Sequence, residues 1–152
     1  MAAATPPCRG IIAVEEGENV SRIPRSQEHL KTGFTAEAVS AARYRAFAAR
    51  AAGEGLPNLA GHWRALAAAK DELAVAELEA AGQVRGGAAD LAAAIAEERY
   101  ENDVLYPKMI TNVDRETAAV LASVVEQQQE HLRRLEGLRG QVQGSPGDVA
   151  RP

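Results

Sequence analysis

The sequence predicts an all-α protein, a four-helix bundle preceded by an irregular N-terminal arm. Three observations predict it. Apolar residues make up 46% of the chain but aromatic residues only 4%, so most of the apolar content is alanine and leucine, residues of closely packed helices rather than of strands. Along four segments the apolar positions recur every three or four residues, and no alternating stretch competes. Short breaks rich in glycine and proline separate those segments.

Residues 1–33 hold Pro6, Pro7, Gly10, Gly17 and Pro24 without a sustained period, and are expected to form the arm. Its apolar piece "GIIAV" suits docking on a protein partner. The bundle is expected over 34–140. Thr35 is a candidate N-cap for the first helix, "AEAVSAARYRAFAARAA", which runs to Gly53. "GEGLP" breaks it, and Pro57 falls near the first turn of the second helix, where a missing N–H costs nothing. That helix ends near Gly82. "GQVRGG" precedes a third helix over about 88–110. Asn112 or Asp114 caps a fourth, which reaches about Gly140, and 141–152 reads as a flexible tail. Connections this short favour antiparallel neighbours.

Composition excludes several functions. The formal net charge of −4 argues against a nucleic-acid binder. No window approaches the roughly 18 uninterrupted apolar residues of a membrane span, so no membrane insertion is expected. The opening "MAAATPPC" lacks the charged and apolar regions of a secretory signal, and a cytoplasmic location is the expectation. The single cysteine, Cys8, rules out an internal disulfide or a thiolate metal cluster. Glycine-rich phosphate loops, Cys-x-x-Cys pairs and Gly-x-Ser-x-Gly elbows are absent.

The inward stripes carry unusual polar groups. On the first helix the stripe reads Glu37, Ala41, Tyr44, Ala48; on the second, Trp63, Leu66, Ala67, Lys70, Leu73, Ala74. The third gives Ile95, Glu98, Glu101, Leu105, and the fourth Val124, Gln128, His131, Leu135. Glu98 and Glu101 stand three apart, which sets both carboxylates on one helix face. Carboxylates facing a core must pair, protonate or bind metal. His62 and Trp63 read as packing residues, as do Tyr44, Tyr100 and Tyr106, whose hydroxyls need partners.

Three of these stretches resemble a known family. "EAVSAARYRAFA" (37–48) resembles the first helix of rubrerythrin, a ferritin-like di-iron family in which a Glu precedes an Arg-Tyr pair by six and seven residues. "EERYENDVLYP" (97–107) is similar to that family's third helix, with Glu-x-x-Glu followed by Tyr-Pro, and "EQQQEHLRRL" (126–135) to its fourth. The resemblance covers about residues 35–138 and implies a ferritin-like bundle. In that family the irons are held by a Glu on the first helix, Glu-x-x-His on the second, Glu-x-x-Glu on the third and Glu-x-x-His on the fourth. Glu37, Glu98, Glu101 and His131 occupy four of those positions and form the candidate remnant metal site. Lys70, Leu73 and Gln128 replace the other three.

The replacements shape the functional expectation. The two missing glutamates are those the resemblance implies as bridges between the irons. Leucine cannot coordinate at all, and Lys70 brings a positive charge to the place of the cations. The leading expectation is therefore a non-catalytic structural or interaction subunit, with a lysine–carboxylate core, no cofactor and no catalytic residue. Its partner would be a protein bound through the arm, or a second copy in a homodimer. The alternative is an iron-binding oxidoreductase of the rubrerythrin type, reducing peroxide or oxidising iron at a reduced site.

Overall fold

A computed structural model of the chain describes residues 25–144 and 148–150. The arm segment "GIIAV" and most of residues 1–33 lie outside the described residues. Among them the regular structure is all helical, with no strand. Its elements are α1 (Ser26–Gly53), α2 (Pro57–Ala80), α3 (Gly87–Tyr100), a π-helical turn (Glu101–Leu105), α4 (Tyr106–Ile110) and α5 (Arg115–Gly144). Helix α3, the π turn and α4 run on as one element, so there are four long helical runs.

The first helix begins nine residues before its expected cap. Thr35 does not cap it; its hydroxyl donates back to the Lys31 carbonyl at 2.8 Å, as an interior helix residue does. Residues 26–33, assigned to the arm by sequence, are therefore the first two turns of α1. Gly33, which had suggested irregular structure, has a packing role instead. A Cβ there would sit 2.3 Å from Oε1 of Glu77, so the glycine leaves room for that carboxylate. The last helix likewise continues four residues past Gly140.

Local chemistry sets the other ends. Helices α1 and α2 close in the same way: Gly55 (φ 75°) and Gly82 (φ 66°) take the left-handed conformation. The N–H of the next residue then returns to a carbonyl five back, Leu56 to Ala51 at 2.9 Å and Gln83 to Leu78 at 3.1 Å. Asp90 folds back to accept the N–H groups of Arg85 and Gly86, both at 3.0 Å. Of the two expected caps for α5, Asp114 serves. It accepts from the Thr117 N–H at 2.9 Å and the Thr117 hydroxyl at 2.8 Å. The π turn precedes Pro107, which has no N–H for the Asp103 carbonyl and would crowd it in a regular α-helix. The Tyr106 N–H reaches the Glu101 carbonyl instead, one residue further back.

Packing is uneven. Ala41 and Ala48 of α1 meet Ala60, Ala67 and Ala74 of α2, all at most 5% exposed and spaced by sevens along each helix. Small side chains let the two backbones approach closely, which makes α1 and α2 a tight antiparallel hairpin. Helix α5 runs back along α3, the π turn and α4 as a second hairpin. No Cα of helix α1 or α2 lies within 8 Å of one in α3, the π turn, α4 or α5. Leu66 and Leu73, expected to face inward, are 48% and 52% exposed. Tyr100, expected in the core, is 56% exposed and Leu105 is also exposed. The cause on α2 is rotational: the alanines turn toward α1, and each leucine of this row, one residue earlier, sits about 100° away.

Candidate functional site

The expected polar groups fall into two sets, one in each hairpin. In the first, the α1–α2 seam holds Glu37 and Lys70 opposite each other. Lys70 Nζ lies 2.6 Å from Glu37 Oε2, with the side chains 30% and 22% exposed. The close carboxylate of Glu37 raises the Lys70 pKa above its ordinary 10.5, while partial loss of solvent works against this. The anticipated lysine–carboxylate contact is thus present, at the rim of the seam rather than deep within it.

Beside the pair stands an aromatic cluster that fastens the two helices. The rings of Tyr44 and Trp63 have centroids 5.1 Å apart, and those of Phe47 and Trp63 lie 5.3 Å apart in a near edge-on arrangement. Offset and edge-on contacts of this kind add to the burial of their area. Tyr44 and Trp63 are half-buried, as packing residues, and His62 is exposed.

In the second hairpin, Glu98 and Glu101 face α5. Glu101 accepts a hydrogen bond from the Gln128 side-chain amide. His131 Nδ1 is 3.9 Å from Glu98 Oε1, beyond hydrogen-bond range. These contacts set Gln128 opposite Glu101 and His131 toward Glu98. The burial differs from expectation. His131 is 60% exposed, because the half-buried row of α5 passes through Gln128, Leu132 and Leu135 and leaves His131 at its edge. Glu98 Oε2 and Gln128 Oε1 are closed off from solvent and have no hydrogen-bond partner among the described residues. Asn102, the buried polar residue of this hairpin, donates to the Glu98 carbonyl at 2.8 Å.

The four candidate ligands are therefore divided, Glu37 in one hairpin and Glu98, Glu101 and His131 in the other. Among the described residues no three His, Cys, Asp or Glu groups converge closely enough to hold one metal ion. The donor set does not fit a pair of irons either: Lys70 takes up Glu37, and Leu73 has nothing to coordinate with. The structure adds one acidic group that sequence reading missed. Glu77, seven residues after Lys70, sits in the notch of Gly33 and lines a cavity of about 500 Å³ with Leu30, Lys31, Phe34 and Glu97. The seven-residue spacing of Trp63, Lys70 and Glu77 was the available signal. No helix among the described residues is long and apolar enough to cross a membrane. Set against known proteins, the chain matches no protein-family model and no curated protein.

Proposed function

We propose that this chain is a non-catalytic interaction subunit of rubrerythrin-like, ferritin-like ancestry, in which a lysine–glutamate pair stands where the resembling family holds iron. The observation that carries this reading is the Lys70–Glu37 contact at 2.6 Å. An ammonium at that distance neutralises the carboxylate and would repel a cation placed beside it. The ancestry is supported by the motif spacing and by the four long helical runs. It extends to the finer architecture, a ferritin-like bundle built from the two hairpins. A large exposed apolar surface supports the interaction role.

The second hairpin favours one alternative. Among the described residues Glu98 keeps a solvent-shielded oxygen without a hydrogen-bond partner, and His131 Nδ1 lies 3.9 Å from its other oxygen. An unpaired buried carboxylate oxygen is costly, and a single divalent ion with water would relieve it. Metal content separates the readings. Protein purified without chelators and then loaded anaerobically with ferrous iron is expected to retain no stoichiometric metal. About one ion per chain, lost in Glu98→Gln, would establish the reduced site, and about two would overturn the non-catalytic reading.

A further inference from the structure

The cavity beside Glu77 takes no part in the lysine–carboxylate pair or in the candidate metal site. It lies at the N-terminal end of α1, beside the C-terminal end of α2, and none of the four candidate ligands lines it. Its volume of about 500 Å³ falls within the range of small-molecule sites. Leu30 and Phe34 of α1 and Leu78 of α2 give it a hydrocarbon wall, Glu77 and Glu97 two carboxylates, and Lys31 one ammonium. Glu97 belongs to α3, so side chains of both hairpins share this space.

Shape holds the Glu77 carboxylate in place. Glycine inside a helix weakens it, yet a Cβ at position 33 would meet Glu77 Oε1 at 2.3 Å. Gly33 thus seats the carboxylate against α1. Nothing neutralises it there: among the described residues Glu77 enters no ion pair, and its Oε2 is closed off from solvent without a hydrogen-bond partner. Lys70 senses this charge, but its ammonium is committed to Glu37. Lys31 is exposed and closes on neither carboxylate of the cavity. A shielded carboxylate without a partner is costly, and what it lacks is a cation with hydrogens to donate.

We propose that this cavity binds a small organic cation, an ammonium group joined to a hydrocarbon body. The ammonium meets the Glu77 carboxylate, and the body lies along Leu30, Phe34 and Leu78. Glu97, exposed beside the opening, adds to the negative field that draws a cation in. Other ligand classes fit less well. A metal ion needs more donors, and among the described residues no three His, Cys, Asp or Glu groups converge. An anion would face two carboxylates against one lysine. A wholly apolar ligand would shut Glu77 away from water and leave it unpaired. The site adds a ligand to the interaction role and does not depend on it.

Hexylamine is the probe, titrated against the full chain at low salt by ligand-observed NMR, with hexanol as its uncharged counterpart. Hexylamine is expected to bind with millimolar or tighter affinity, and hexanol about tenfold more weakly for want of the charge-assisted contact. Glu77→Gln is expected to lower the hexylamine affinity about tenfold, with helicity by circular dichroism unchanged. Glu72→Gln removes the same charge from an exposed position outside the cavity and is expected to leave the affinity as it is. A wild type that does not bind hexylamine overturns the proposal, whether the cavity is then filled by the chain's own N-terminal segment or closed by Lys31. Undiminished binding by Glu77→Gln, or an equal loss in Glu72→Gln, overturns it too, because either result assigns the amine to the acidic surface at large. Hexanol bound as tightly as hexylamine would likewise remove the carboxylate from the site.

Discussion

Replacing Ala67 with leucine tests whether α1 and α2 are held at alanine distance. Ala67 is 2% exposed and packs in the same seam as Ala41 and Ala48, which are 0% and 3% exposed. Leucine adds three carbons. If the seam had room, their burial would be worth about 0.8 kcal/mol each, or roughly 2.4 kcal/mol in favour of folding. A closed seam reverses the sign, because fitting the side chain forces the helices apart at a cost of about 1–3 kcal/mol. Spreading the seam also draws Glu37 away from Lys70. We expect Ala67→Leu to be destabilised by about 2 kcal/mol, close to a thirtyfold change in the folding equilibrium. The assay is urea unfolding followed by helical circular dichroism at one protein concentration, comparing midpoints at a common slope. The control is the adjacent, exposed Ala68→Leu, where helix propensity barely changes and the effect should stay within about 0.5 kcal/mol. Ala67→Leu at least as stable as Ala68→Leu would refute the tight seam.

Two pH predictions follow from the charged contacts. Lys70 has a folded pKa raised by Glu37, so its contribution is fully present below the ordinary 10.5 and is lost as pH rises through the raised value. Lys70→Met should therefore be the less stable protein near neutrality, with the gap narrowing in unfolding curves taken above pH 10.5. Asp90 and Asp114 have folded pKa values below the ordinary 3.8, because each accepts backbone N–H groups at a helix start. Their contribution is present above 3.8 and lost as pH falls through the lowered values. Asp114→Asn keeps a capping acceptor, so it should match wild type more closely at pH 7 than Asp114→Ala does. It should also show a flatter decline of the unfolding midpoint between pH 5 and 2; an unchanged acid limb would dismiss the cap as its source.

The helices were legible in the sequence because their determinants are local. Periodicity marked all four runs, Pro57 and Asp114 marked two starts, and "GEGLP" and "GQVRGG" marked the breaks. The start of α1 was misplaced because Gly33 reads as a breaker in isolation, and its reason, the Glu77 carboxylate, lies forty-four residues away. Membership of a stripe was legible, but the pairs were not: Lys70, expected in one polar core with several carboxylates, meets Glu37, and Glu101 takes the amide of Gln128. Depth was not legible either. A stripe of residues names a helix face but not the neighbour that covers it, so Leu66, Leu73 and His131 were placed inward and lie in the open. On α2 the alanines decide this: they fit α1 more closely than leucine does and turn the leucines aside.

That rotation separates what the polar groups settle from what the apolar groups settle. Each hairpin pairs polar residues within itself, Lys70 with Glu37 across the α1–α2 seam and Gln128 with Glu101 across the second. Arg45 with Asp71 and Arg99 with Glu136 repeat the pattern, each ion pair closing within its own hairpin. Exposed pairs of this kind contribute little to stability individually, but they fix which helix lies beside which. Charge therefore directs the making of hairpins and places little demand on what a hairpin packs against next. That choice falls to apolar area, which the described helices expose on both hairpins, at Leu59, Leu66 and Leu73 of α2 and at Tyr100, Val104, Leu105 and Met109 of the second. A carboxylate at the half-exposed position 66 would thus leave both hairpins and their ion pairs intact.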